Sequence, residues 1–161
     1  MPQMNRPDGL EPVIRQHRFF AGLDPAYVAL IAGCAKNVVF GEGEFLFREG
    51  EQASVFFLIR AGRVGLEIVA PGREPVRVQT LGEGDVTGFS WLIDTHVWHF
   101  DGRADERVRA VEVDGACLRA KCEEDTRLGF ELMRRFASLA SRRLQATRLQ
   151  ILDVYGHAGA H

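Results

Sequence analysis

The spacing of apolar positions changes twice along the chain and divides it into three parts. From Pro12 to Ala35 apolar residues fall at Val13, Ile14, Phe19, Phe20, Leu23, Val28, Leu30 and Ile31, interrupted by Gly22 and by Asp24-Pro25. Asp24 suits an N-cap and Pro25 the first helical position, so this part predicts two short helices. The second runs from Pro25 to about Ala35, with Tyr27, Leu30, Ile31 and Cys34 on one face. From Asn37 to Val113, short runs of Val, Phe, Ile and Leu alternate with glycine-marked breaks, the pattern of an antiparallel sandwich or barrel. Val64, Leu66 and Ile68 alternate with small or polar residues and predict a strand with one buried face. Ala70 to Pro75 is then a hairpin turn, and Val76, Val78 and Thr80 belong to its return strand. Arg107 to Val113 breaks this alternation: Val108 and Ala110 share one parity, Val111 and Val113 the other, and a bulge would reconcile them. From Asp125 to Leu152 the chain has no proline and reads as one long helix, roughly 42 Å at about 1.5 Å per residue. Asp125 and Thr126 supply its N-cap region, and Leu128, Leu132, Phe136, Leu139 and Leu144 form its apolar stripe.

The partition that follows is a disordered lead-in over residues 1–9, helices over 10–36, a β-roll over 37–116, C-terminal helices over 117–156 and a tail over 157–161. With 161 residues, 46% of them hydrophobic, a single core is expected. Twenty Lys and Arg against 22 Asp and Glu give a formal charge of −2, which excludes a wholly basic nucleic-acid binder. The arginines 134, 135, 142, 143 and 148 of the long helix are interspersed with Glu131 and the apolar stripe, and read as a solvated face. No apolar run reaches the roughly 18–20 residues of a membrane span and the N-terminus lacks a signal-peptide core, so a soluble, cytoplasmic protein is expected. Cys34, Cys117 and Cys122 are too few and too uneven for a disulfide framework and are expected as reduced thiols, the latter two packing as small hydrophobes. No nucleophile elbow, P-loop, dinucleotide fingerprint or paired carboxylates mark an enzyme. His96 and His99 have no third ligand nearby, and the cysteines fit no haem or iron–sulfur pattern, so no metal site and no certain cofactor are expected.

The run Gly43-Glu44-Phe45-Leu46-Phe47-Arg48-Glu49-Gly50-Glu51-Gln52-Ala53-Ser54-Val55-Phe56-Phe57-Leu58-Ile59-Arg60-Ala61-Gly62-Arg63-Val64 closely resembles the first glycine-rich half of the cyclic nucleotide-binding domains of catabolite activator and Fnr-type regulators. Leu81-Gly82-Glu83-Gly84-Asp85 is similar to the strand that introduces their ligand cassette, and Arg142 to Val154 to their dimerisation helix and hinge. The resemblance spans about Phe19 to Gly156. It implies a mainly β fold with flanking helices: a jelly-roll-like antiparallel β-roll of about eight strands, short N-terminal helices and a long C-terminal dimerisation helix. Gly43, Gly50, Gly62 and Gly84 fall where such a roll turns sharply.

The chain departs from that pattern at its functional positions. The family's ribose-binding Glu is replaced by Phe89 in Gly88-Phe89-Ser90-Trp91-Leu92-Ile93, and its phosphate-binding Arg-Ser by His99-Phe100. Each lost contact is worth about 1.5 to 3 kcal/mol. Backbone N–H groups at Phe89 and Ser90, or Arg103 if its loop folds over, could still hold an anion. Thus Gly88, Phe89, Ser90, His99, Phe100 and Arg103 are the candidate ligand positions, and a cyclic nucleotide is the candidate but doubtful ligand. Phe89, Trp91, Trp98 and Phe100 either fill the old pocket as core, the favoured reading, or cage an altered ligand. The resemblance also implies a homodimer, with Leu132, Phe136, Leu139 and Leu144 against the partner helix and some of them also seating the helix on its own roll. Family regulators continue into a helix-turn-helix domain where this sequence ends in Gly156-His157-Ala158-Gly159-Ala160-His161, so direct DNA binding is not expected. The reading is a stand-alone regulatory or sensor module acting on an unknown protein partner. A ligand-free dimeric scaffold is the alternative, and a signalling partner of a separate transcription regulator a third.

Overall fold

The computed structural model describes residues 7–88 and 97–158. Helix α1 (Pro7–Gln16) and a 3-10 turn (Arg18–Phe20) lead into helix α2 (Pro25–Ala32). Eight described strands follow: β1 (Ala35–Phe40), β2 (Phe45–Phe47), β3 (Val55–Ala61), β4 (Val64–Ile68), β5 (Val76–Leu81), β6 (Val86–Thr87), β7 (Asp101–Ala104) and β8 (Val108–Asp114). They form two antiparallel four-stranded sheets, ordered β1-β8-β3-β6 and β2-β7-β4-β5. This is the expected jelly-roll-like β-roll with flanking helices. The expected hairpin is β4–β5, in register from Val64↔Leu81 to Ile68↔Val76 apart from one irregularity between Leu66 and Glu67. At Gly62, in the turn before β4, φ is +91°, and an added Cβ would sit 2.3 Å from the Arg107 carbonyl oxygen, so both conformation and space demand glycine.

The parity change in β8 has a different cause from the bulge expected there. Its pairing with β1 is continuous from Ala35↔Val113 to Phe40↔Val108. The strand instead has no wet face: Val108 and Ala110 point into the roll, while Val111 and Val113 point into a second core beneath the helices. β3 behaves alike, with Phe57 and Ile59 inside the roll and Phe56 and Leu58 on the helical side. The irregularity lies in β3, where the register shifts between Ile59 and Ala61.

Helices cover the outer face of that sheet. Asp24 caps α2 as its sequence predicts, its carboxylate accepting from the Ala26 N–H at 2.8 Å. Helix α1 already includes Pro7 to Gly9, ahead of the start expected near Leu10, and it accommodates Pro12 internally while burying Leu10 and Ile14. The long helix begins where its sequence predicts: helix α3 (Gly115–Glu124) ends at Asp125, whose backbone is extended, and α4 (Thr126–Ala158) follows. The Asp125 carboxylate accepts from the N–H groups of Arg127 and Leu128. At 33 residues α4 is roughly 50 Å long.

Three expectations for these helices are corrected. Leu132, Phe136 and Leu139 are at most 8% exposed within the single chain, packed with Phe19, Phe56 and Val111, so they seat α4 on its own roll and are not available to a partner. Of the four candidate dimer residues only Leu144, 55% exposed, stands clear. The arginines of α4 are not all solvated: the Arg135 guanidinium donates to the carbonyls of Phe19 and Ala21 at 2.7 and 3.0 Å, and Arg143 donates to that of Val86. Finally, Cys34 and Cys117 are joined in a disulfide across 83 residues, because the end of α2 and the first turn of α3 meet beside the β1–β8 pair. Cys122 is the free thiol. Among the described residues no helix is long and apolar enough to cross a membrane, and no cluster of three metal-ligating side chains occurs.

A bridge of that span removes about 4 kcal/mol of unfolded-chain entropy. Reduction, or the double substitution Cys34→Ala/Cys117→Ala, is expected to lower the thermal midpoint by roughly 10 °C. Calorimetry with and without reductant checks this, since the double variant must be insensitive to reductant and the unmodified protein sensitive.

Candidate functional site

Between the roll and α4 lies a cavity of about 390 Å³. Phe47, Leu66, Ile68 and Val78 supply its apolar floor from β2, β4 and β5, while Gln79, Thr87 and Gly88 form one wall. Trp98, His99 and Phe100 continue that wall beside Gly88, and Ala140, Arg143, Leu144 and Thr147 line it from one face of α4. Strand alternation explains the floor: Val64 and Leu66 are buried as expected, and Ile68, 40% exposed, lies where that row reaches the cavity mouth.

The walls are held by Trp98, which is 5% exposed. Its N–H donates to the Glu51 carbonyl at 3.0 Å and its own carbonyl accepts from Gly50 N–H at 2.9 Å. The indole stacks on Phe47 with ring centroids 4.3 Å apart and planes 19° apart. Gly88, at φ +93°, lies against it: an added Cβ would be 3.0 Å from the ring and 3.2 Å from the Val55 carbonyl oxygen. Trp98 is therefore core, and the cavity lies beside it. Phe100, 37% exposed, lines the mouth. Phe89, Ser90 and Trp91 lie outside the described residues, as does His96.

Of the candidate ligand positions, Gly88, His99 and Phe100 come together at the cavity. Arg103 does not. It occupies β7 between Phe45 and Gly65, where Gly102 and Ala104 are buried and the intervening side chain must point outward. Its guanidinium donates to the Gly43 carbonyl at 3.3 Å and lies over the Phe45 ring. Closeness in sequence to His99 was a poor guide because a strand separates alternate residues onto opposite faces.

The cation at the cavity is Arg143. Burial pulls its guanidinium down to about 10, an effect opposed by Asp85 and reinforced by Arg142, so it is still charged at neutral pH. It also lines a second cavity, of about 430 Å³, with Arg18, Asp85 and Arg142. Asp85 is engaged there, accepting from Arg18 and from the Gly82 N–H. A signal for Arg143 was present in the sequence. Leu132, Phe136, Leu139 and Arg143 continue one helical face in steps of four and three, which places an arginine on the apolar stripe.

Residues 37–125, more than half the chain, match the cyclic nucleotide-binding domain model. The chain belongs to that family. It is 26% identical over 146 residues to a CRP-like cAMP-activated global transcriptional regulator of Mycobacterium tuberculosis, an overlap of 90% of this chain and 63% of that protein. It thus spans less than two thirds of the length of that relative. Over 89 residues it is 30% identical to human cGMP-dependent protein kinase 2, covering 55% of this chain and 11% of the kinase. The solved structure of a cyclic nucleotide-binding-type protein from Geobacter metallireducens shares 30% identity and a TM-score of 0.74, over 88% of this chain and 99% of that one.

The substitution Gly88→Ala is expected to destabilise this cyclic nucleotide-binding domain by about 1 to 3 kcal/mol, because it adds both a strained φ and an indole contact. Denaturant unfolding, followed by tryptophan fluorescence, measures it. A loss below about 0.5 kcal/mol would contradict the tight Gly88–Trp98 approach.

Proposed function

We propose that this domain is a non-enzymatic regulatory sensor, in which a small molecule held in the 390 Å³ cavity sets the position of α4 and so governs a protein partner. The observation that carries this reading is that α4 is itself a wall of the cavity, through Ala140, Arg143, Leu144 and Thr147. Occupancy therefore acts on the helix directly, without a relay.

The same reading includes a homodimer, on a different face from the one expected. Phe130, Met133, Ala137, Ala140, Leu144, Thr147 and Ile151 follow each other in alternating steps of three and four, the spacing of a coiled-coil seam. All seven are exposed in the single chain, Phe130 at 67% and Ile151 at 49%. A second copy of α4 supplies the matching stripe. Ala140, Leu144 and Thr147 belong to both the seam and the cavity wall, so ligand and partner helix press on the same three residues.

Two measurements test this. Val78→Trp, which projects an indole into the cavity from the roll, is expected to change amide exchange over residues 140–152 several-fold; unchanged exchange would sink the sensor and favour the scaffold. In sedimentation equilibrium, Leu144→Glu is expected to give a folded monomer, whereas Leu139→Ala lowers stability by about 2 to 5 kcal/mol and leaves the assembly intact. A dimer that survives Leu144→Glu would place the interface elsewhere.

A further inference from the structure

His17 is a buried base at a point where the long helix is fastened. Only 8% exposed, it caps the 3-10 turn at Arg18–Phe20, where its Nδ1 accepts from the Phe19 N–H at 3.3 Å. That bond requires a bare Nδ1, so the single proton of the neutral ring sits on Nε2. Nε2 is itself buried and has no hydrogen-bond partner among the described residues. The turn that His17 caps holds α4: the Phe19 and Ala21 carbonyls accept from Arg135, and the Phe19 ring packs on that of Phe136 with centroids 4.9 Å apart. His17 also borders a cleft of about 440 Å³, shared with Gln16, Arg18, Arg60 and Glu83.

A second proton on the ring is incompatible with this arrangement. Protonated Nδ1 becomes a donor facing the Phe19 N–H, also a donor, and the imidazolium is a cation in a site that burial has largely stripped of water. Burial is the main cause that pulls the His17 pKa below its ordinary value; Arg18 acts in the same direction, while the carbonyls of Ile59 and Asp85 and the Asp85 carboxylate oppose it. The other charged groups facing this region are Glu83, from the turn between β5 and β6, Arg60 of β3, and Arg135 of α4. The unfolded chain's histidine titrates near 6.5 and the folded ring holds its proton less tightly, so the cap is complete above that pH and is lost as the pH falls below it. We propose that His17 is a proton-operated latch: on acidification the imidazolium leaves its site for the adjoining cleft, the 3-10 turn opens, and Arg135 loses the two carbonyls through which that turn holds α4. The latch lies outside the 390 Å³ cavity and needs no ligand, so it reaches α4 independently of the sensor reading.

Amide hydrogen exchange on the full chain at about pH 7.5 and about pH 5.5, each corrected for the intrinsic exchange rate, tests the latch. Between the two, protection of the Phe20, Ala21 and Leu23 amides, which bond within and just after the turn, is expected to fall at least about fivefold, with a smaller fall over residues 132–139 and none in β3 and β8. His17→Asn keeps a side-chain oxygen to cap the turn but cannot titrate, and is expected to hold the same amides within about twofold. Should that variant fail to fold, the ring nitrogen resonances of the unmodified protein serve instead: they are expected to show the Nε2–H tautomer at neutral pH and a titration midpoint below about 6.5. Turn amides that do not respond to pH, a response that persists in His17→Asn, an equal loss in β3 and β8, a turn that opens without any change over residues 132–139, or a His17 midpoint at or above the ordinary value would each overturn the proposal.

Discussion

β3 and β8 have no face to give to water, and the rest of the molecule is arranged around that constraint. Phe57, Ile59, Val108 and Ala110 require a second sheet on one side, and Phe56, Leu58, Val111 and Val113 require helices on the other. A β-sandwich alone would leave the outer set exposed. Helices α1, α2, α3 and the first half of α4 meet that need, with Leu128, Leu132, Phe136 and Leu139 locking α4 across the sheet. Beyond Leu139, Ala140, Arg143, Leu144 and Thr147 face the cavity instead of a core.

One helix thus does two jobs in sequence. Its N-terminal half is fixed by packing and by the hydrogen bonds from Arg135 to the 3-10 turn. Beyond Leu139 it borders the cavity, and Arg143 donates to the Val86 carbonyl. In the proposed sensor, α4 would work as a lever, and the change from buried Leu139 to exposed Leu144 marks where its packing on the sheet ends.

Local features were legible in the sequence. Asp24-Pro25 and Asp125 start helices because capping depends on neighbouring residues alone. The β4–β5 hairpin was legible because its turn and its alternation lie together in the chain. What could not be read depended on distant partners. Nothing near Cys34 indicates Cys117, and nothing near Val108 indicates that both faces of β8 will be covered. The long helix carries two apolar stripes, and spacing alone does not say which one meets the roll; that was decided by the cavity-side Arg143 and by Phe19 and Phe56. At the site, Gly88, His99 and Phe100 were found from the family pattern, whereas Arg103 was misplaced and Arg143 missed because the pattern expects its cation from the cassette rather than from the helix.

The bridge between Cys34 and Cys117 closes just before β1 and just after β8. Every strand lies inside the ring it makes, and α1, α2 and α4 lie outside it. In covalent terms the oxidised protein is a macrocycle carrying two helical tails. A peptide bond cut in the exposed 70–75 hairpin opens that circle without releasing a fragment, so the roll can be nicked and remain one molecule.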